Sequence, residues 1–150
     1  MTHSLLHFRI ALAGTLLFAA AATASAADIG QVKVAKGQVA IERQGKSLPA
    51  TVGARLQASD IVRTGADGSI GITMDDDSLL SAGANSELVL ERYAFDGTTQ
   101  QGRFDASLNK GTMAVVSGRI AKQAPDAMTV RTPNAILGVR GTEFVVSAND

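Results

Sequence analysis

Residues 132–144 read Thr-Pro-Asn-Ala-Ile-Leu-Gly-Val-Arg-Gly-Thr-Glu-Phe, and no other stretch of the chain says as much about its fold. A Thr-Pro corner comes first, then an apolar run, then an arginine between Gly138 and Gly141. Proline fixes φ and removes a donor, whereas glycine suits tight or left-handed backbone. The stretch therefore predicts two tight corners joined by short strands, which is a folding signature and not a catalytic one.

Upstream of this stretch, apolar and polar residues alternate with a period of two, and no helical period lasts three turns. Since alternate side chains of a strand face opposite ways, each run offers one apolar face to a core. The alternating runs are Val32 with Val34, Val39 with Ile41, Ile70 to Met74, Leu88 with Leu90, Phe104 to Leu108, Met128 with Val130, and Phe144 with Val146. They predict an all-β fold of many short strands.

Turn-forming residues separate the runs and support the same fold class. They are Gln44-Gly45-Lys46, Gly65 to Gly68, Asp75-Asp76-Asp77, Asp96-Gly97, Asn109-Lys110-Gly111, Gly118 and Pro133-Asn134. Residues 49–54 and 121–127 are expected to be surface loops. Weak internal similarity and small aliphatic residues favour a β-solenoid-like stack of coils. A β-sandwich or jelly-roll-like arrangement, or a barrel, satisfies the same pattern and stays open.

The first 26 residues have the pattern of a secretory signal peptide. Arg9 precedes an alanine-rich apolar run, and Ala24-Ser25-Ala26 supplies the small residues of a cleavage site. We expect cleavage after Ala26, which leaves residues 27–150 as one β domain in the periplasm or outside the cell. An uncleaved membrane anchor is the alternative, and no later segment is apolar enough to span a membrane.

Composition excludes several kinds of chemistry. The chain has 14 Lys and Arg residues and 14 Asp and Glu residues. This balance does not favour binding to nucleic acid, which needs a basic face. There is no cysteine, and both histidines, His3 and His7, lie in the expected signal peptide. The domain therefore lacks a thiolate, a histidine-based triad and any evident cofactor site, and we predict no enzyme and no cofactor. The Asp75-Asp76-Asp77 cluster is interpreted as a solvated turn, with a weak cation site as the alternative.

Several short motifs, in this order along the chain, resemble the FecR domain of bacterial cell-surface signalling. They are Gly37-Gln38-Val39, Gly53 with Leu56, Asp60 to Gly65, Gly68-Ser69, Asp76 to Leu79, Asn85 to Leu88, Leu108 to Gly111, and the run at 132–144. The resemblance extends over about residues 32–146. Asp77 stands where the family usually has glycine, and aspartate tolerates a left-handed turn better than most residues.

The resemblance marks a set of motif positions as structural. They are Asp60, Thr64, Gly65, Gly68, Ser86, Gly111, Thr132, Pro133, Gly138, Arg140, Gly141, Thr142 and Phe144. Arg140 is expected to point inward and pair with a carboxylate such as Asp60 or Glu87; the alternative is an acidic partner.

The resemblance also implies an exported, non-enzymatic β domain related to regulators that relay a signal from an outer-membrane iron-siderophore receptor to a cytoplasmic sigma factor. Only nine residues precede the apolar segment, so we expect a stand-alone protein without the cytoplasmic sigma-factor-binding domain. Its expected partner is another envelope protein, bound by strand addition at a sheet edge. The alternatives are a carbohydrate- or peptidoglycan-binding or structural envelope module, and a hydrolase that uses carboxylates.

Overall fold

The computed structural model describes residues 25–141 and 143–149, so nearly all of the expected signal peptide lies outside the described residues, as do Thr142 and Asp150. The described chain confirms the all-β prediction. Its strands are β1 (Asp28–Lys36), β2 (Val39–Arg43), β3 (Lys46–Pro49), β4 (Arg55–Gln57), β5 (Ile61–Thr64), β6 (Ser69–Met74), β7 (Leu79–Ala82), β8 (Glu87–Phe95), β9 (Gly102–Val116), β10 (Met128–Thr132), β11 (Ala135–Gly138) and β12 (Glu143–Ala148).

One short helix, α1 (Arg119–Gln123), follows β9. It interrupts the region that we expected to be a surface loop at 121–127, and Ile120 and Ala121 are buried. A helix of five residues cannot display a 3.6-residue period over three turns, so the sequence gave no periodic signal for it. Among the described residues, no helix has the length and apolar character needed to cross a bilayer.

The strands form one continuous sheet that curls, and it has two halves that share β9. In half A the order is β4-β1-β6-β7-β9-β12, and all of these pairs are antiparallel. In half B the order is β3-β2-β5-β8-β9-β10-β11, where only the β9–β10 pair is parallel. The described edges are therefore β3 and β4 at one end and β11 and β12 at the other.

Strand β9 joins the halves because it bends without reversing. Its first part pairs with β8 and β10, and residues 111–116 pair with β7 and β12. At the change of partner Gly111 has φ +89°, a conformation that disfavours side chains. The predicted turn at Asn109-Lys110-Gly111 is thus wrong as a reversal, because Gly111 re-aims a strand of 15 residues into the other half.

Both halves contribute to a single hydrophobic core. In β6, for example, Ile70, Ile72 and Met74 are buried while the residues between them are less so, as the alternation predicted. Leu56, Leu88 and other fully buried side chains lie in the same core. Burying one such side chain contributes about 1.5–3 kcal/mol, so aliphatic packing alone can hold a domain without cysteine.

The solenoid arrangement is not confirmed. A parallel β-helix pairs strands of successive coils in parallel, whereas nearly all described pairs here are antiparallel. Hairpins such as β2–β3 and β6–β7 have short turns, so consecutive strands pair directly with one another. The strands instead form a single curled sheet around one core.

Candidate functional site

Five of the expected motif positions meet at one end of half B, where the turn after β5 lies against the turn before β8. We call Thr64, Gly65, Gly68, Ser86 and Gly111 the turn cluster. The Thr64 side-chain hydroxyl donates to the carbonyl of Gly83 at 2.6 Å and accepts from the amide of Ser86 at 2.8 Å. The Thr64 amide in turn donates to the carbonyl of Ser86 at 3.0 Å. These bonds fix the two turns to each other.

Ser86 extends the turn cluster to the bend in β9. Its hydroxyl accepts from the amide of Thr112 at 3.0 Å, and a β-carbon added at Gly111 would lie only 2.2 Å from that oxygen. A β-carbon at Gly68 would similarly lie 2.3 Å from the carbonyl oxygen of Gln38. The glycines are therefore required by close approach, and the cluster is structural, with no exposed nucleophile or base.

Asp60 is fully buried and has an ion-pair partner, but that partner is not Arg140. Arg43 donates to both carboxylate oxygens at 2.8 Å, and the amide of Gln57 donates to one of them at 2.8 Å. The hydrogen bonds that Arg43 donates to Asp60 raise the pKa of Arg43 above its ordinary value. A paired, hydrogen-bonded carboxylate is the form in which burial of a charge is tolerated.

Glu87 is also paired elsewhere, since Arg63 bridges it to Glu42 on the outer face of half B. Arg140 is exposed, and no salt bridge among the described residues joins it to Asp60 or Glu87. The expectation that Arg140 points inward is therefore wrong. Arg140 lies on the surface beyond Gly138, the last residue of β11, and next to Gly141, which has φ +57°.

Asp76 is a second buried carboxylate, which corrects its interpretation as part of a solvated turn. It is 0% exposed, whereas Asp75 and Asp77 beside it are exposed. Its oxygens accept from the Ser78 hydroxyl at 2.8 Å, and from the Ser78 amide, the Ile120 amide and the Tyr93 hydroxyl at 3.2 Å. With its oxygens satisfied by protein donors, Asp76 ties α1 and β8 to the β6–β7 turn.

The same turn explains why aspartate is accepted at position 77. Asp77 has φ +65°, the left-handed conformation for which glycine is usual in that corner. Its exposed carboxylate pairs with Arg119 at the start of α1. Within the described residues, no three acidic side chains converge where a metal ion would sit.

Tyr93 has the most perturbed acid–base group at this turn. Its hydroxyl accepts from the Asp76 amide at 2.8 Å, and its ring packs edge-on against buried Phe104 with centroids 5.3 Å apart. Burial, and then the charge of Asp76, raise the pKa of the Tyr93 phenol well above its ordinary value. The phenol is thus held protonated, which suits a structural hydrogen bond and not a catalytic base.

The remaining motif positions form the β10–β11 hairpin and the approach to β12. The Thr132 hydroxyl accepts from the Ala135 amide at 3.1 Å and closes the turn that contains Pro133. Gly138 ends β11, Gly141 has φ +57°, and Phe144 lies partly buried in β12. Val139 is buried, and its amide donates to the carbonyl of Met128 at 2.9 Å, which anchors this end of the hairpin.

Between β11 and β12 lies an open depression of about 330 Å³, which we call the seam. Leu137, Val139 and Phe144 contribute its apolar lining, and Arg140 stands on its wall. Every residue of β11 is exposed, and Ile136 is 71% exposed. On each side of the seam a strand has only one described neighbour, β10 for β11 and β9 for β12. Two strands arranged in this way can recognise a peptide through its backbone.

Sequence reasoning found the turn cluster but missed Arg43, Tyr93 and the burial of Asp76. A signal for one of the Asp76 bonds was present, because an aspartate side chain in a turn commonly accepts from the backbone amide two residues on. No local signal could have supplied Tyr93 and Ile120, which lie 17 and 44 residues away from Asp76.

In comparison with known proteins, the model of the FecR protein family matches residues 60–150. No curated protein and no solved structure matches the chain. The matched span includes β5 to β12, and therefore the turn cluster, the Asp76 turn and the seam.

Proposed function

Because the chain belongs to the FecR protein family, we propose that it is a non-enzymatic, exported signalling-related module that binds another protein of the cell envelope. The family is a regulatory one, and its match contains all thirteen motif positions marked as structural, from Asp60 to Phe144. Signal cleavage after Ala26 and a periplasmic or secreted domain of residues 27–150 are part of the proposal. We further propose that the partner adds an extended segment at the seam.

The observation that carries this proposal is the difference between the sheet edges. Edge strands usually carry a device that prevents pairing with another chain, such as proline, lysine or very short length. At one end of the sheet, β3 has Lys46 and Pro49, and β4 has three residues. At the other end, β11 and β12 have neither proline nor lysine, and they expose Ile136 and Val145.

The seam also indicates what kind of segment would bind. Strand addition supplies main-chain hydrogen bonds, and pockets for alternate side chains supply selectivity. The lining from Leu137 and Phe144 suits one apolar side chain, and the exposed charge of Arg140 suits an acidic one nearby. We therefore expect an extended partner segment with an apolar and an acidic residue.

In-cell photo-crosslinking tests the proposal, with a photoreactive residue placed at Ile136 in β11. Ser47, exposed in the guarded strand β3, serves as the matched position. We expect one envelope protein to be captured from position 136 and little from position 47. Adding Ile136→Lys beside a crosslinker at Leu137 should reduce that capture, because a charged edge disfavours strand addition.

Equal capture from both positions, or none from either, contradicts the proposed role. The purified protein should also be incubated with peptidoglycan and envelope polysaccharides. Retention on these polymers without a protein adduct would favour the carbohydrate-binding alternative. Mass measurement of the exported protein tests the localisation, since cleavage after Ala26 leaves Ala27 as the first residue.

A further inference from the structure

Among the described residues, no ion pair crosses the middle strands of the outer face of half A, and apolar side chains are exposed there. Val34, Leu79, Val116 and Val145 are 39–66% exposed. Between Val34 and Val145 the same transverse row contains Gly71, Ser81 and Ala114, as the pairing registers place them. These small residues form the floor of a shallow depression of about 340 Å³. The result is a surface whose three middle strands, β6, β7 and β9, present no charged side chain.

The outer face of half B differs, because its charges are already paired. Arg63 bridges Glu42 and Glu87, and Arg131 lies near Glu91. A face with paired charges is stable in contact with water, whereas the face of half A leaves apolar side chains in contact with water. A sheet of this kind is normally covered by a second layer about 10 Å away.

We propose that the second layer is the same face of another copy of this chain, related by a twofold axis that runs along β7. An axis parallel to the strands exchanges the two sides of the face, so β1 of one copy lies over β12 of the other. Val34 then meets Val145, and Gly71 meets Ala114. Ser81 and Leu79, both on β7, meet their own counterparts at the axis.

Charge complementarity selects this pairing over other occupants. Lys33 on β1 is exposed, and its side chain donates to the Gln31 side chain at 2.7 Å. Gln31 lies in the transverse row that also contains Glu143. Glu143 lies at the opposite, β12 side of that row and is exposed. The twofold axis therefore brings each Lys33 beside the Glu143 of the other copy, so the face is complementary to itself.

The size of the face sets the strength of the dimer. Five strands at about 4.8 Å spacing and three rows of outward residues give roughly 500 Å² on each copy. About 1,000 Å² in total is the lower limit for a specific interface. We therefore expect a weak, reversible dimer that forms at micromolar or higher concentration. Glu143 and Val145 belong both to this face and to the lining of the seam.

Sedimentation equilibrium of residues 27–150 over a wide concentration range tests the dimer. Ser81→Arg places two like charges on the axis and should abolish association, while Ser47→Arg, on exposed β3, should leave it unchanged. Far-ultraviolet spectra and urea midpoints should match between the two variants, which separates loss of the interface from loss of the fold.

Exchanging the charges at positions 33 and 143 is the second test of the dimer. Lys33→Glu and Glu143→Lys should each weaken the dimer by about 3- to 10-fold, and the double variant should return close to the original affinity. A protein that stays monomeric up to about 1 mM contradicts the proposal. So does a dimer that is insensitive to Ser81→Arg, or one in which the two exchanges do not compensate. Ile136→Lys at the seam should leave association unchanged, so this variant tests the dimer separately from partner binding.

Discussion

Asp76 is an acidic residue in a run of three, and acidic side chains are almost never fully buried unless they are paired or hydrogen-bonded. Here four donors from Ser78, Tyr93 and Ile120 replace the water that the carboxylate loses. The sequence predicted the turn but not the burial, because two of these donors come from distant segments. At the residue scale, a turn position has become the junction of β6, β7, β8 and α1.

Replacing Asp76 with alanine should lower the free energy of unfolding by about 2–4 kcal/mol, because buried donors would then lack an acceptor. Urea denaturation monitored by circular dichroism measures this. Asp75→Ala is the matched control, since Asp75 is adjacent and exposed, and we expect it to change stability by less than about 0.5 kcal/mol. Similar midpoints for the two variants would show that the Asp76 bonds do not stabilise the fold.

Tyr93 gives a prediction about alkaline pH. Burial and Asp76 raise its pKa in the folded state, whereas the unfolded phenol ionises near 10. Its contribution to stability is therefore fully present below about pH 10 and is lost as pH rises above that value. The chain has one tyrosine and no tryptophan, so absorbance at 295 nm reports this phenol alone. We expect ionisation to coincide with alkaline unfolding; ionisation near pH 10 in the folded protein would contradict the assignment.

At the scale of elements, β9 carries the largest difference between expectation and structure. Alternation at Phe104 to Leu108, followed by the turn-forming Asn109-Lys110-Gly111, predicted a strand that ends in a turn at Gly111. The structure keeps one strand, because a glycine at φ +89° can bend a strand as readily as it can reverse a chain. The local sequence cannot distinguish these two uses, since the choice depends on which strands lie on either side.

The Gly111→Ala variant tests the importance of that bend. A side chain there is disfavoured by the positive φ and would overlap Ser86, so we expect a loss of about 2–4 kcal/mol of stability. Gly97→Ala is a suitable comparison, because nothing lies within 4 Å of the added carbon and its φ is not positive. The urea midpoints of the two variants should differ clearly. A Gly111→Ala protein as stable as the unmodified one would show that the close approach of Ser86 does not require glycine there.

At the scale of the whole molecule, the fold class and most strands could be predicted from alternation, but the pairing could not. Each alternating run has one apolar face, and this condition is the same for solenoid and sandwich. The antiparallel order follows from short hairpins and from the path of β9, which brings distant runs together. Likewise, the sequence identified Arg140 as distinctive but could not show that Arg43 is the residue that forms the ion pair with Asp60.

The N-terminal strands belong to the folded unit although the family match begins at residue 60. Strand β1 lies between β4 and β6, and Val32 and Leu56 are fully buried. A fragment of residues 60–150 should therefore lack a cooperative thermal transition, whereas residues 27–150 should show one. A cooperative transition at the same temperature in both would mean that β1 to β4 are dispensable, and would contradict the domain extent proposed above.

Partner binding at the seam depends most on the open edge of β11, and hydrogen–deuterium exchange of residues 27–150 measures that edge directly. Amides of β11 that face away from β10 should exchange within seconds, while those of β8 and the centre of β9, which have paired strands on both sides, should remain protected far longer. Slow exchange of all β11 amides in the free protein would mean that the edge is already covered, and strand addition at the seam would have to be abandoned.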